Sequence, residues 1–471
     1  MMDVLGQPAL RNRTFDALQV GDSASLVRVV GRDDIALFAA VSGDVNPAHL
    51  DAAFAATDLF GHVVAHGMWT GALVSAVLGT QLPGPGTIYL GQEMRFLRPV
   101  TPGDTVTATV RVREKRPDKR IVLLDTICTN QKGEQVLSGT ATVIAPAREI
   151  VWPRTPLPEV VLQRHDRYED VLRAALACPP LRVAVAHPCS PSAILAALEA
   201  REAGLAEPVL VGPLAKIRAA AEAAKADLTG IAVEDAPHSH AAAARAVAMA
   251  AEGKVGALMK GSLHTDELLQ AVLAPEAGLR TERRISHVYV MDIPAYTKPL
   301  VVTDAAINIA PTLEQKRDIC QNAVDLLHIL GVAQPKVAVL AAVETVNPKM
   351  PATLDAAALT VMAQRGQIRG ALVDGPLAFD NAISLDAARI KEITSPVAGQ
   401  ADVLLVPDLE AGNMLAKQLL YFAGAIAAGL VLGARVPIML TSRSDSLRVR
   451  LASMALARLV AARRMNPGVT P

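Results

Sequence analysis

Residues 42–51, SGDVNPAHLD, place an aspartate and a histidine five residues apart around an Asn-Pro pair. Proline is favoured in the first turn of a helix and asparagine is a good cap, so the sequence predicts a short helix over residues 47 to about 56. Asp44 should then lie on a loop and His49 in the first helical turn, where the helix dipole disfavours an imidazolium. A neutral imidazole beside an ionised carboxylate can hold and activate one water molecule.

A second segment supplies a complementary group. Residues 60–68, FGHVVAHGM, lead into the apolar stretch 69–78, which is long enough for a buried helix. Gly67 would lie near the N-terminus of that helix, where backbone N–H groups can bind a developing oxyanion. A water-activating pair and an oxyanion donor together suit the addition of water to a double bond conjugated to a thioester. The alternative is a capped helix with a surface aspartate and histidine.

The residues that follow read as strands and then as a linker. Polar and apolar residues alternate, as in half-buried strands, at 105–112, 120–128 and 135–144. Antiparallel strands after one central helix indicate an α+β domain. Prolines at 146, 153, 156 and 158 indicate a stiff linker. We therefore predict a first domain at 1–148, a Pro-rich linker at 149–160 and a second domain at 161–471.

The two N-terminal motifs resemble those of the MaoC-like, (R)-specific enoyl-CoA hydratases. The resemblance covers roughly residues 10–145 and includes G-D-x-N-P-x-H at 43–49 and A-H-G-M at 65–68. It implies a hot-dog fold, in which an antiparallel sheet wraps one long helix. It also implies that Asp44 and His49 are the catalytic pair and that the Gly67 N–H is the donor to the thioester oxyanion.

Length and composition exclude several classes of protein. A chain of 471 residues is too long for one ordinary core, and a hydrophobic content of 51% argues against disorder. Lysine plus arginine equals aspartate plus glutamate at 46 each, which argues against broad attraction to nucleic acid or membranes. The four cysteines have no metal-like spacing, and we see neither a signal-peptide core nor a membrane-spanning run. We expect a cytoplasmic protein with reduced thiols.

The second half alternates short apolar strands with helical stretches. This pattern predicts a mostly parallel, helix-covered α/β sheet in two lobes with a cleft between them. The strands are expected at 181–186, 209–212, 255–259, 337–342, 368–374, 403–406 and 436–441. Helices are expected at 191–203, 214–226 and 447–464.

Polar signatures follow many of these strands, where ligands bind in open α/β sheets. They lie at 259–262, 302–304, 373–376, 406–408 and 440–446. Each alone is compatible with an ordinary turn, but five of them predict a lined cleft. In the last signature Arg443 adds a planar cation beside the start of a predicted helix, which is a good phosphate site.

These signatures resemble the phosphate acetyl/butyryltransferase family over nearly all of residues 165–465. The matching motifs are LMKGSLHT (258–265), RRISHVYVM (283–291), VTDAAINIAP (302–311), VDGPLAFD (373–380), PDLEAGNMLAK (407–417) and LTSRSDS (440–446). The resemblance implies a two-lobed α/β fold, usually dimeric. It also implies the reaction of an acyl-CoA with phosphate to give acyl phosphate and CoA, without a cofactor or a metal.

The same resemblance assigns roles to residues of the second half. Ser442 and Arg443 match the catalytic pair, with Arg443 holding phosphate and Ser442 donating to the leaving sulfur or the tetrahedral intermediate. Asp445 is the candidate for the basic carboxylate, although its offset from the pair is shorter than in the acetyltransferase branch. The candidates for substrate binding are Arg283, Arg284, Lys260 and Asn308.

Both halves would act on acyl-CoA thioesters, so we predict a bifunctional enzyme that is a hydratase and a phosphate acyltransferase. Its partners are expected to be acyl-CoA, phosphate and further copies of itself, with no nucleic acid or membrane. The preference for acetyl or butyryl chains stays open. One alternative is that the hot-dog half only binds CoA or dimerises. Another, a fold like the decarboxylating dehydrogenases, would need a metal-binding carboxylate cluster and a nicotinamide site, and we find neither motif.

Overall fold

A computed structural model describes residues 9–155, 160, 162, 166–440 and 445–465. The chain divides into two compact units, Met1–Leu162 and Gln163–Pro471, which are called unit 1 and unit 2 below. Ser442 and Arg443, the predicted catalytic pair of the second half, lie outside the described residues. Within the described ranges, no helix is both long enough and apolar enough to span a membrane.

Unit 1 is an antiparallel sheet packed around one long helix. Its helices are α1 (Arg32–Ser42), α2 (Pro47–Leu50), α3 (Ala52–Thr57) and α4 (Gly67–Thr80). Its strands are β1 (Leu10–Arg11), β2 (Ser23–Val29), β3 (Ile88–Phe96), β4 (Thr105–Arg116), β5 (Ile121–Thr129), β6 (Gln135–Ile144) and β7 (Val151–Trp152). The five-stranded sheet has the order β2-β4-β5-β6-β3, and every neighbouring pair in it is antiparallel.

The core of unit 1 lies between α4 and this sheet. Helix α4 buries Trp69, Val74 and Val77, and β4 buries alternate residues such as Val106 and Val110. The period of two in β4 is the alternation that predicted the strand, because one face of the sheet covers the helix. The predicted hot-dog fold is confirmed.

Two local features of unit 1 differ from the sequence expectation. The predicted helix over 47–56 is split into α2 and α3, because Asp51 is extended and its side chain accepts the N–H groups of Ala53 and Phe54. An aspartate in this arrangement caps a new helix and ends the previous one. Strand β7, which lies inside the predicted linker, pairs with β1 and so belongs to unit 1.

Unit 2 is a large sheet covered by helices. Its strands are β8 (Leu181–Ala186), β9 (Ala206–Gly212), β10 (Ala232–Asp235), β11 (Ala257–Lys260), β12 (Ser286–Asp292), β13 (Leu300–Thr303), β14 (Lys336–Leu340), β15 (Leu372–Leu377), β16 (Val403–Leu405), β17 (Ile426–Leu432) and β18 (Ile438–Met439). Its helices are α5 (Asp166–Leu176), α6 (Pro191–Glu202), α7 (Leu214–Ala223), α8 (Ser239–Ala251), α9 (Thr265–Leu273), α10 (Leu313–Ile329), α11 (Pro351–Gln364), α12 (Phe379–Ile383), α13 (Leu385–Ile390), α14 (Leu409–Phe422) and α15 (Leu447–Met465).

The sheet of unit 2 has two parallel halves joined by antiparallel strands. The strand order is β10-β9-β8-β11-β18-β17-β12-β13-β16-β14-β15, and the antiparallel neighbours are β18–β17, β17–β12 and β12–β13. The prediction of a mostly parallel sheet is confirmed. Because three antiparallel pairs intervene, the two parallel halves run in opposite directions, and their carboxyl ends do not share one edge. The five polar signatures therefore do not all lie at one edge of the sheet.

The signature at 373–376 is also placed differently. It lies within β15 and does not follow the strand. β15 is the last strand of the sheet and its neighbour is β14. Pro376 is compatible with that position because an edge strand has an unpaired side that needs no N–H donor.

Candidate active sites

Asp44 is carried on a loop whose two ends are fixed by local chemistry. Gly43 ends α1 in the left-handed conformation at φ 77°, which glycine adopts without strain. The Asn46 side chain then accepts the N–H of Ala48 at 3.1 Å and caps α2, while the Asp44 carboxylate accepts the N–H of Asn46 at 3.2 Å. The loop therefore holds Asp44 beside α2, the helix that carries His49, in agreement with the predicted loop and cap.

Two imidazoles complete this site. His49 Nδ1 lies 2.7 Å from the carbonyl oxygen of Val64, and His66 Nε2 lies 3.0 Å from that of Asp44. A carbonyl oxygen only accepts, so in the neutral rings these two nitrogens carry the protons and His49 Nε2 and His66 Nδ1 are acceptors. The ring centroids are 3.9 Å apart and the ring planes are tilted by 36°, so the two rings are in contact.

The structure brings the predicted pair together and adds a residue that the prediction missed. One polar side-chain atom each of Asp44, His49 and His66 lies within 4.8 Å of the others. His66 is buried, and its Nδ1 has no hydrogen-bond partner among the described residues. Such a set can hold a water molecule, and it also has the donor types that bind transition metals. The sequence signal for His66 was its place directly before Gly67, where it is the N-cap of α4.

Gly67 lies at the start of α4 beside a pocket. The pocket has a volume of about 320 Å³, and its lining includes His49, Gly67 and Phe96. A Cβ atom added to Gly67 would lie 2.9 Å from Cε1 of Phe96, so a larger residue at 67 would require that ring to move. The expected oxyanion donor and the expected base therefore border the same cavity.

A pocket in unit 2 is lined by residues from several of the motifs that resemble the transferase family. Its volume is about 780 Å³, and it is lined by Thr265, Asp266, Leu269, Gln270, Leu273, Ala274, Arg284, Ile285, His287, Tyr289, Ala306, Ile307, Ile309 and Leu440. Leu440 is the last described residue before the predicted catalytic pair. This pocket therefore adjoins the segment to which the resemblance assigns the chemistry.

Arg284 is held in this pocket by Asn308. The Nε of Arg284 donates to Oδ1 of Asn308 at 2.7 Å, and Asn308 is 3% exposed. The amide nitrogen of Asn308 is directed inward, because it donates to the carbonyl of Ile285 at 2.9 Å. Asn308 is thus bonded to the guanidinium of Arg284, and its contact with substrate stays a prediction.

The other predicted basic residues lie elsewhere in unit 2. Arg283 forms an ion pair with Asp325 and lines a second pocket of about 570 Å³, together with Arg435 and Arg464. The structure therefore separates the two neighbouring arginines into different pockets. Lys260 ends β11, and its ammonium donates to the carbonyl of Leu263 at 3.4 Å.

Asp445 is half-buried near Tyr289. Burial, and then the charge of Asp445, raise the pKa of the Tyr289 phenol. Arg450 donates to the backbone carbonyl of Asp445 at 2.5 Å and pairs with Glu199 of α6. These contacts tie the start of α15 to the rest of unit 2.

The carboxylate of Asp304, in the signature at 302–304, fixes the backbone of the loop after β13 by accepting hydrogen bonds. Asp304 is 2% exposed, and one of its oxygens accepts the N–H groups of Ala306 and Ile307 at 2.9 and 3.0 Å. Its other oxygen accepts the backbone N–H of His287 at 3.2 Å. Asp304 therefore brings Ala306 and Ile307 into the pocket with β12.

His287 is the second residue that the sequence interpretation missed. It is 2% exposed on β12, and its ring lies edge-on to Tyr289 with centroids 4.4 Å apart. Burial lowers the pKa of His287 to about 4, against the opposing effect of the Asp304 charge. Its signal in the sequence was a histidine inside the apolar strand pattern SHVYVMD.

Comparisons with known proteins match the two units to two different families. The family described as phosphate acetyl/butaryl transferase matches residues 238–458, and the family described as MaoC like domain matches residues 16–130. A phosphate acetyltransferase of Rhizobium meliloti is 58% identical over 313 residues, which are 66% of this chain and 96% of that protein. A phosphate butyryltransferase of Clostridium acetobutylicum is 42% identical over 280 residues, which are 59% and 93% of the two chains.

A solved structure extends this similarity to the fold of unit 2. The branched-chain phosphotransacylase from Enterococcus faecalis V583 is 32% identical and has a TM-score of 0.54, covering 59% of this chain and 99% of that one. The fold of unit 2 and these relatives define a phosphate acyltransferase. The chain belongs to the phosphate acetyl/butyryltransferase family, and it carries a MaoC-like domain ahead of the family region.

Proposed function

We propose that the chain is a bifunctional acyl-CoA enzyme. Unit 1 hydrates a 2-enoyl-CoA to a 3-hydroxyacyl-CoA, and unit 2 transfers an acetyl or butyryl group from CoA to inorganic phosphate. The observation that carries the first activity is the cluster of Asp44, His49 and His66 beside Gly67. Membership of the transferase family over most of unit 2 supports the second.

In the proposed hydration, one water molecule lies between Asp44 and His49. The bond from His49 Nδ1 to the Val64 carbonyl leaves Nε2 free to accept the water proton as the water oxygen attacks C3 of the enoyl group. Charge develops on the thioester oxygen, and the Gly67 N–H stabilises it. A proton then returns to C2, so one water molecule is added in total.

In the proposed transfer, Arg443 holds phosphate while a phosphate oxygen attacks the thioester carbon. The C–O bond forms, the C–S bond breaks, and the phosphate proton leaves with the CoA thiol. Ser442 donates to the sulfur or to the tetrahedral intermediate, and Asp445 is the candidate base. Arg284 supplies a second cation in the pocket next to Leu440. Arg283, in its separate pocket, Lys260 and Asn308 are the other proposed substrate-binding residues.

Two assays on the wild-type chain test this proposal. Crotonyl-CoA should lose its enoyl absorbance without phosphate, and acetyl-CoA or butyryl-CoA should release free CoA only when phosphate is present. If crotonyl-CoA is bound but not hydrated, unit 1 is a CoA-binding module. If no chain length releases CoA, the transferase proposal is wrong.

We further propose that the protein acts in the cytoplasm as a homo-oligomer, with no cofactor beyond its substrates. All four cysteines are free thiols, which fits a reducing compartment. Sedimentation of the purified chain measures the oligomeric state, and a monomer at micromolar concentration would contradict that part of the proposal.

A further inference from the structure

His287 has a buried nitrogen that is unpaired within the described part of the chain. Its Nδ1 has no hydrogen-bond partner among the described residues, although the side chain is 2% exposed. Leaving a buried polar atom unpaired is costly because it has lost its hydrogen bonds to water, so such an atom in a native structure requires an explanation. A phenylalanine of similar shape would avoid this cost, and the imidazole therefore points to a ligand.

The imidazole also lines the pocket of about 780 Å³ that adjoins the predicted catalytic segment. Apolar side chains such as Leu269 and Ile307 share this lining with Arg284 and Tyr289. An acyl chain fits the apolar groups, and a phosphoryl group fits the guanidinium. The pocket thus has the composition that an acyl-CoA and phosphate require.

The sheet makes room for this ring at one position. Gly429 of β17 is paired with Tyr289 of β12, and a Cβ atom on Gly429 would lie 3.2 Å from Nε2 of His287. The N–H of Gly429 is fixed by the Ser453 hydroxyl at 3.0 Å. Glycine at 429 therefore leaves the space beside the imidazole open.

We propose that the imidazole of His287, in its neutral form, donates a hydrogen bond to the carbonyl oxygen of the thioester bound in unit 2. This inference rests on the proposed transferase function. As the phosphate oxygen attacks, electrons move to the carbonyl oxygen, and the imidazole N–H stabilises that charge. When the C–S bond breaks, the carbonyl forms again, and His287 keeps its proton throughout.

The surroundings of the ring favour the neutral form. Asp304 faces it from the loop after β13, Arg284 and Asp266 share the pocket, and Asp445 lies near Tyr289. Burial outweighs the attraction of Asp304, so the pKa of His287 is lowered to about 4. A buried neutral imidazole can act as an electrophile without gaining a second proton.

Substitution of His287 tests the proposal in the full chain. His287→Phe keeps the ring shape and should lower kcat for phosphate-dependent CoA release by about 10²–10³, the usual effect of losing one oxyanion donor. KM should change little. His287→Gln places an amide N–H near the position of Nε2, and His287→Asn places one near the position of Nδ1. In one of these two variants kcat should be at least tenfold higher than in His287→Phe.

Two outcomes would overturn the role of His287 and leave the proposed function intact. One is wild-type kcat in His287→Phe, and the other is an equal loss in all three variants, which a purely structural role predicts. Absence of CoA release in the wild type would overturn the transferase itself. Gly429→Ala is the second variant if the phenylalanine variant does not fold. It keeps the imidazole but crowds it, so kcat should fall about tenfold, and an unchanged kcat would also refute the proposal.

Discussion

Gly67→Ala tests whether the start of α4 binds the thioester oxygen. The added methyl carbon would lie 2.9 Å from Cε1 of Phe96, roughly 0.5 Å inside an ordinary contact distance. Phe96 is 51% exposed, so its ring can move away into solvent. Alanine also favours the helix by up to about 1 kcal/mol, and we therefore expect the free energy of unfolding to change by less than about 1 kcal/mol.

Hydration should respond much more strongly than stability. The methyl group enters the cavity beside His49, where it displaces the thioester from the N–H of residue 67. A displacement of a few tenths of an ångström at a reacting centre costs about tenfold, and a full ångström costs about 10²-fold. The kcat/KM for hydration of crotonyl-CoA should therefore fall by at least about tenfold, although the variant should have the same melting temperature as the wild type.

Gly79→Ala is the matched control in the same helix. No atom lies within 4 Å of a Cβ added at Gly79, so this variant should gain helix stability and hydrate crotonyl-CoA at the wild-type rate. Wild-type hydration by Gly67→Ala would refute the assignment of the oxyanion donor. Equal losses in both variants would indicate a general effect of substitution in α4.

Two further predictions concern other groups. His66→Phe keeps an aromatic ring against His49 but removes the donor to the Asp44 carbonyl, so kcat for hydration should fall about tenfold with little change in KM, and an unchanged kcat would show that this bond does not position Asp44. Burial raises the pKa of Cys128 and Cys320 to about 12, so neither thiol should be alkylated by iodoacetamide in the native protein at pH 8, as peptide mass spectrometry can measure. Because the folded state favours the protonated thiols, their contribution to stability is fully present below about pH 8.5 and is lost as the pH rises towards 12. Rapid alkylation at pH 8 would show that their surroundings open.

Local patterns predicted most elements because hydrophobic periodicity is a local property. Strand β6 begins and ends where the alternation of 135–144 indicated, and β8 does so at 181–186. The direction of a strand is not encoded in that periodicity. Hydrophobic periodicity therefore did not reveal that β12, β13 and β17 pair antiparallel, which places the carboxyl ends of the two parallel halves at opposite edges of the sheet.

Candidate site residues could be predicted where the residues that would act together lie close together in the sequence. Asp44 and His49 are five residues apart, and one cap positions both. His66 and His287 were missed because each acquires its meaning from burial and from contacts with distant residues. The His66 ring contacts a backbone carbonyl 22 residues away, and the backbone N–H of His287 donates to the Asp304 carboxylate 17 residues away.

Two substitutions in the full chain test the two-site account when both reactions are assayed on one preparation. Asp44→Asn should reduce crotonyl-CoA hydration by at least about 10²-fold and leave phosphate-dependent CoA release unchanged. Arg443→Ala should reduce CoA release by at least about 10²-fold and leave hydration unchanged. If either substitution abolishes both reactions while the protein stays folded, the claim of two independent acyl-CoA sites is contradicted.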